Sequence, residues 1–435
     1  MSPPPWSSAN GGRHERDDVV GPGAVRRARA DARGVAWRVG VPPAEVAVSA
    51  ATPADPVRLA RAYLVRVAEP PAAALVALVE QDGPVRAAEL VRSGDAPAAV
   101  LRETSARAHL ELAETDLRNG ATIGARLVTP EDEEWPGWPL AGLCAAGQRG
   151  VRIGVEPLAL WVRGVGRLDE LTDRAVAVVG SRAASGYGEH VAAEFGHGLS
   201  EAGVTVVSGA AHGIDGAAHR GALMAAGSTI AVLACGVDIA YPAGHDRLLS
   251  LVADRGAVLS EYPPGTPPAR HRFLARNRLI AALAAGTVVV EAGRRSGAKN
   301  TAATTCAIGR VLMVVPGPVT SASSLGCNEL LRGGEAIAVS TVHDVIETAG
   351  RIGVDLAPSV GDADEPIAPP GSDTMRVHEA LSRGAGRSAE LIAVESGVPL
   401  PRVRALLPEL EFAGLASRGE SGWRRARNES GRGDA

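Results

Sequence analysis

Residues 175–215 read AVAVVGSRAASGYGEHVAAEFGHGLSEAGVTVVSGAAHGID. Val176, Val178 and Val179 form a short β-branched run that stops at Gly180. A buried parallel strand followed by a glycine turn has this pattern. From Tyr187 to Ala202 the apolar residues recur at helical spacing, and Gly203 supplies the stop. Val204–Val207 reads as a second strand, with Ser208-Gly209 as a second small turn. The stretch is therefore a βαβ unit with a polar, glycine-lined rim at the carboxyl ends of its strands. In an open α/β sheet, ligands bind at that rim.

The alternation continues outward from this unit. Further strands are expected at 228–233, 257–260, 287–290, 311–315 and 335–339, with helical patterns in the earlier gaps. Together with 175–179 and 204–207 they predict an α/β fold, a doubly wound parallel sheet over residues 173–350. Its rim gathers Ser181-Arg182, Ser208-Gly209, His212-Gly213, Gly236, Ser260-Glu261 and the run from Glu291 to Lys299. Glycine and serine let backbone N–H groups approach an anion, helix N-termini add positive potential, and arginine supplies forked donors. Each turn alone fits plain packing. Their convergence on one edge points to a phosphate or nucleotide site.

The chain has 435 residues and a formal net charge of −4, so a nucleic-acid partner requires locally gathered cations. Between Arg270 and Lys299, seven cations (Arg270, Arg272, Arg276, Arg278, Arg294, Arg295, Lys299) stand against Glu291, a local net of +6. Phe273 lies among them, and a basic patch with an aromatic suits a phosphate backbone carrying a stacked base. Lys299 is the one lysine of the chain. Arg182, Arg278 and Lys299 are expected to line one groove, with the N–H groups of Gly209 and Gly213 opposite. The alternative is that such arginines hold the fold through carboxylates such as Glu291. Asp215 is expected to cap or orient a helix start rather than to act as a base.

Other segments frame this domain. Residues 1–55 read as a disordered tail. Residues 56–120 read as a small helical domain, with helices at Ala72–Glu80, from Pro84 to Gly94, and a longer one on to Leu117. Residues 121–172 read as a connecting segment packed on the sheet domain. It contains a strand within Leu158–Gly164, and Trp135, Trp138 and Trp161 are expected to be buried there. A linker over 351–372 precedes three short helices and a hairpin over 373–427, a winged helix-turn-helix, and residues 428–435 form a tail. Pro408 falls inside the third of those helices and is expected to kink it.

Several function classes find no support. There is no GxxxxGK[ST], and the first turn is GSRAASGYG rather than GxGxxG, so neither a P-loop ATPase nor a dinucleotide enzyme is indicated. Cys144, Cys235, Cys306 and Cys327 are widely spaced, so neither zinc nor a disulfide framework is expected. No cofactor is expected. The N-terminus has no signal-peptide core and no run of about 18 apolar residues occurs, which points to the cytoplasm. Two rivals remain open: a nucleotide-processing enzyme and a winged-helix transcription regulator. The first would carry PGGxGTxxE, which is absent, and the second would need base-reading residues.

Seven motifs occur in order: GSRAASGYG (180–188), SGAAHGID (208–215), AVLACGVDIAYP (231–242), SEYPPGTPP (260–268), FLARNRLIAAL (273–283), VVEAGRRSGAKNTA (289–302) and GCNELL (326–331). The combination resembles the DNA-processing protein A family (DprA, also called Smf). The resemblance implies a Rossmann-like domain that binds single-stranded DNA without being an enzyme. It implies protection of incoming strands during natural transformation, loading of the RecA recombinase, and a homodimer formed through the Rossmann-like domain. Arg182, Ser208, Gly209, Gly213, Asp215, Arg276, Asn277, Arg278, Ser296, Gly297 and Thr301 fall on the family's motif positions. His212 stands where Arg or Lys is common, Leu274 where proline is usual, Lys299 where leucine is usual and Glu329 where a basic residue is common. His212 and Lys299 complete the expected DNA-binding set.

Overall fold

The structure is a computed structural model that describes residues 55–294, 296–350, 372–419 and 421–426. Most of the expected N-terminal tail, nearly all of the linker, the C-terminal tail and Arg295 lie outside the described residues.

One nine-stranded sheet organises residues 125–338. Its strands are β1 (Ala125–Val128), β2 (Leu160–Arg163), β3 (Ala175–Val179), β4 (Thr205–Ser208), β5 (Thr229–Val232), β6 (Ala257–Ser260), β7 (Gly286–Val289), β8 (Val311–Val314) and β9 (Ala336–Ala338). Their order is β1-β2-β6-β5-β4-β3-β7-β8-β9. From β3 the chain steps outward through β4, β5 and β6, then returns to the other side of β3 with β7, β8 and β9. The order thus reverses between β3 and β7. These two strands run parallel, with Val176 opposite Gly286 and Val179 opposite Val289.

Strands β3 to β7 are buried along their whole length, which explains why they read as apolar runs rather than alternations. The helices Gly186–Glu201 and Ile214–Met224 cover one face, where Phe195, Leu199 and Ile214 meet Val176, Val178 and Val288. The helices Arg270–Ala282 and Ala298–Ala307 cover the other, where Leu279, Leu283 and Ala302 meet Val179, Val207 and Val289.

The expected all-parallel sheet has a different edge. β2 pairs antiparallel with β6, and β1 pairs antiparallel with β2. Four residues, ARLV, carry too short a pattern to announce β1. Two further expectations change. The long helix to Leu117 is two helices, Ala98–Thr104 and Ala113–Thr122. Trp161 is fully buried, but Trp138 is 86% exposed at the mouth of a second cleft, of about 470 Å³, at the amino ends of β3, β4 and β7. Trp135, just before the helix Gly137–Gln148, is the one that packs on the core.

The helices of residues 56–122 share their core with the sheet. Tyr63, Leu64 and Leu75 belong to the same buried cluster as Trp161, Leu233 and Val258. Arg61 donates to the Leu158 carbonyl at 2.7 Å and to Glu131, fastening the first helix to the segment before β2. At the C-terminal end, the helices Asp373–Glu379, Ala389–Ser396 and Leu400–Phe412 precede an antiparallel pair, Ala416–Gly419 with Gly422–Arg425. Val377, Ile392, Val403, Leu406 and Leu410 form their core. The third helix runs on through Pro408, which lies on its exposed side. Water can reach the Arg404 carbonyl that loses its donor there. Among the described residues no helix is long and apolar enough to cross a membrane.

Candidate nucleic-acid interface

The rim is built from two turns locked to each other. After β3, the Ser181 N–H donates to the Glu291 carbonyl at 2.8 Å. The Glu291 carboxylate then accepts from the Ser185 N–H at 2.9 Å, from Ser185 Oγ at 2.6 Å and from Ser323 Oγ at 3.1 Å. Glu291 is 2% exposed, so it is a strut for the first turn and not an arginine partner. After β4, Ser208 Oγ donates to the Val178 carbonyl at 2.6 Å, and the Ile214 N–H donates to the Ser181 carbonyl at 3.2 Å. Gly213 has φ +73°, and a Cβ there would lie 2.4 Å from the Ser181 oxygen, so only glycine fits.

Asp215 lies in the first turn of its helix and organises the second turn. Its Oδ2 accepts from the Gly209 N–H at 3.2 Å and from the Ala211 N–H at 3.5 Å. Burial pushes its carboxyl above the usual range, opposed by the Arg276 guanidinium and by backbone N–H donors. Arg276 is itself buried. It donates to the carbonyls of Gly209, at 2.8 Å, and Val232. Burial lowers its pKa to about 10, with Asp215 acting the other way. A Cβ on Gly209 would lie 2.3 Å from Arg276 Nη1, so this glycine makes room for the guanidinium. Asn277 continues the network to Asn300 at 3.2 Å.

Above this floor opens a cleft of about 530 Å³ at the carboxyl ends of β3 and β7, the point where strand order reverses. Its walls are Gly180–Ala183 after β3, Gly293, Ser296 and Gly297 after β7, Ala298 and Thr301 at the next helix start, and Phe273, Leu274, Arg276 and Asn277. Ala211 and Asp215 close it from β4. Arg182 is exposed, with its guanidinium 4.9 Å from the centre of the Phe273 ring. Tyr241 lies 5.2 Å from Phe273, ring to ring. Arg182 and Phe273 also border a smaller adjoining recess with Gly209, His212 and Tyr241.

Of the expected residues, Arg182, Asp215, Arg276, Asn277, Ser296, Gly297 and Thr301 line the cleft, and Gly209 and His212 line the recess. Ser208 and Gly213 lie behind it as parts of the turns. The Gly209 N–H is already taken by Asp215, which corrects its expected role as an anion donor. Lys299 flanks the cleft loop and is paired with Glu329 at 2.8 Å.

Arg278 requires a larger correction. It is 1% exposed and makes a two-pronged pair with Glu261, 2.7 Å for one prong, in a small cavity with Val65, Ala68 and Leu158. Two residues along a helix amount to about 200°, so Arg276 and Arg278 cannot face the same way. Of the three expected groove cations, Arg182 alone lines the cleft. The +6 patch is also largely neutralised, because Arg272 is bound by Glu69 at 2.8 Å and Arg294 by Glu329 at 3.2 Å. Tyr241 escaped the sequence reading, although it stands in the AVLACGVDIAYP run that marked the motif series.

The family described as DNA recombination-mediator protein A matches residues 126–350. The chain belongs to this family. A putative DNA processing protein DprA of Mycobacterium tuberculosis is 50% identical over 375 residues, 85% of this chain and 95% of that relative. Protein Smf of Escherichia coli is 38% identical over 277 residues, covering 62% of this chain and 72% of its own length. The X-ray structure of DprA from Streptococcus pneumoniae matches with a TM-score of 0.54 and 28% identity, over 68% of this chain and 99% of that one. The DprA family's mixed α/β architecture, with its parallel-dominated sheet, is the fold described above.

Proposed function

We propose that this DprA family member binds single-stranded DNA in the cleft between β3 and β7, protects incoming strands and mediates loading of the RecA recombinase in natural transformation and recombination. It acts in the cytoplasm, as a homodimer formed through the sheet domain, and catalyses no reaction. Residues 56–120 serve as a helical domain, and residues 373–427 as a winged helix.

One observation carries the reading. The exposed Arg182 guanidinium lies against Phe273, with Tyr241 alongside, at the mouth of a cleft walled by serine and glycine turns. A phosphate finds a forked cation there, and a neighbouring base finds an aromatic face. Single-strand binding without base readout needs these two elements. The carboxylates at the rim are committed to holding turns, Glu291 to Ser185 and Asp215 to Gly209, which favours a binding role over acid–base work.

Fluorescence anisotropy with a labelled oligothymidine and the matching duplex tests the proposal. The single strand binds more tightly, and log Kd against log salt has a slope of about 0.7 per phosphate neutralised. Preference for one duplex sequence would instead favour a transcription regulator.

A further inference from the structure

Glu329 faces two cations at once. Its Oε2 accepts from Lys299 Nζ at 2.8 Å and its Oε1 from Arg294 Nε at 3.2 Å. The two cations bracket the Ser296–Gly297 turn that lines the cleft. That turn is tight, since the Ser296 N–H donates to the Gly293 carbonyl and the Lys299 N–H to the Ser296 carbonyl. The helix Leu325–Arg332, which carries Glu329, is fastened to the same loop by the Gly326 N–H on the Ala292 carbonyl at 2.7 Å. The carboxylate is thus held in fixed relation to the cleft wall. The hydrogen bonds from Lys299 and Arg294 keep it below the usual glutamate range. Arg294 is otherwise open to solvent, and Lys299 and Glu329 are part-exposed, so the pair can open without disturbing the core.

We propose that Glu329 is an electrostatic latch that lowers the cleft's affinity for a strand. In the free protein its carboxylate occupies Arg294 and Lys299, and an entering phosphate displaces it from both. The latch rests on the reading of the cleft as a single-strand site. Exposed pairs of this kind are weak enough to exchange, because solvent and salt screen them.

The test measures oligothymidine binding for four proteins. They are the wild type, Glu329→Gln, the double variant Arg294→Ala with Lys299→Ala, and the triple variant carrying all three changes. Glu329→Gln is expected to tighten binding about three- to tenfold near ~0.1 M salt and to leave the salt slope near that of the wild type, because the strand reaches both cations in either protein. In the double-variant background the same change is expected to have no effect, because the cations it frees are gone. Unchanged or weaker binding by Glu329→Gln would overturn the latch. So would an equal gain in the double-variant background, which would mean simple repulsion between carboxylate and DNA. Melting temperatures of all four proteins separate these outcomes from misfolding. A wild type that binds no strand contradicts the proposed function. Binding that appears only with Glu329→Gln would still support the latch, and binding by neither protein overturns both.

Discussion

Arg182, in the turn after β3, and Arg278, inside the helix Arg270–Ala282, were both expected in one groove, yet their surroundings assign them different work. Arg182 is exposed and lies over Phe273 without an ion-pair partner among the described residues, so its loss leaves no buried charge behind. Arg182→Ala is expected to weaken single-strand binding by about 1.5–3 kcal/mol, the range for hydrogen bonds to charged groups. Its stability is expected to stay within about 0.5 kcal/mol of the wild type. Arg278→Ala leaves Glu261 buried and unpaired. A destabilisation of about 3–5 kcal/mol is expected, with little effect on binding by the fraction that stays folded. Urea melts and anisotropy on the same two proteins check this, and loss of both properties in both variants would contradict it. These different roles were half-legible in the sequence. Helical spacing in FLARNRLI shows that Arg276 and Arg278 diverge. It cannot show which of them meets the cleft, because Glu261 and Glu69 come from other elements.

At the scale of elements, the contact between the helix Ile214–Met224 and β5 contains a group that titrates. His219 is fully buried, and its Nδ1 lies 2.7 Å from Thr229 Oγ1. The Thr229 hydroxyl donates its one proton to the Val206 carbonyl at 2.7 Å, so His219 Nδ1–H must be the donor to Thr229. Nε2 is then bare, buried and without a partner. Protonation would place a charge there with nothing to receive it. Burial, reinforced by the charges of His245, Arg220 and Arg276, lowers the His219 pKa from 6.5 to about 3. The folded value is depressed, so the unfolded chain binds the proton first as pH falls. Stability from this group is complete above pH 6.5 and is lost progressively from there toward pH 3. The loss amounts to about 1.4 kcal/mol per pH unit at its steepest. Urea melts at pH 7.5 and 5.5 are expected to show a loss of about 1.4 kcal/mol between them in the wild type and a smaller one in His219→Gln. Equal slopes would assign the pH dependence to other groups. The strands themselves were legible because parallel strands covered on both faces read as valine-rich runs. β1 was not, because its partner β2 lies beyond an intervening helix.

For the molecule as a whole, the helices of residues 56–122 are structurally inseparable from the sheet. Glu69 binds Arg107, His271 and Arg272, at 2.7, 3.0 and 2.8 Å, so one carboxylate ties the N-terminal helices to the helix that carries Arg276. Leu233, Val258 and Trp161 are buried in the cluster those helices complete. A chain starting at residue 123 would expose that surface, and each large apolar side chain uncovered costs about 1.5–3 kcal/mol. Such a chain is expected to melt well below the full-length protein and to aggregate on purification, as calorimetry and gel filtration would reveal. A truncated protein with an unchanged melting temperature would show the helices to be an independent appendage. The sequence announced these helices by their spacing. It could not announce their docking, since the residues that join them to the sheet lie some 200 positions apart.

Arg276 also bears on the timing of binding. Its guanidinium is stripped of water and fixed to the Gly209 and Val232 carbonyls when the chain folds, long before any strand arrives. The β4 side of the cleft is therefore a finished mould, whereas the Glu329 side is an ion pair exposed enough to exchange.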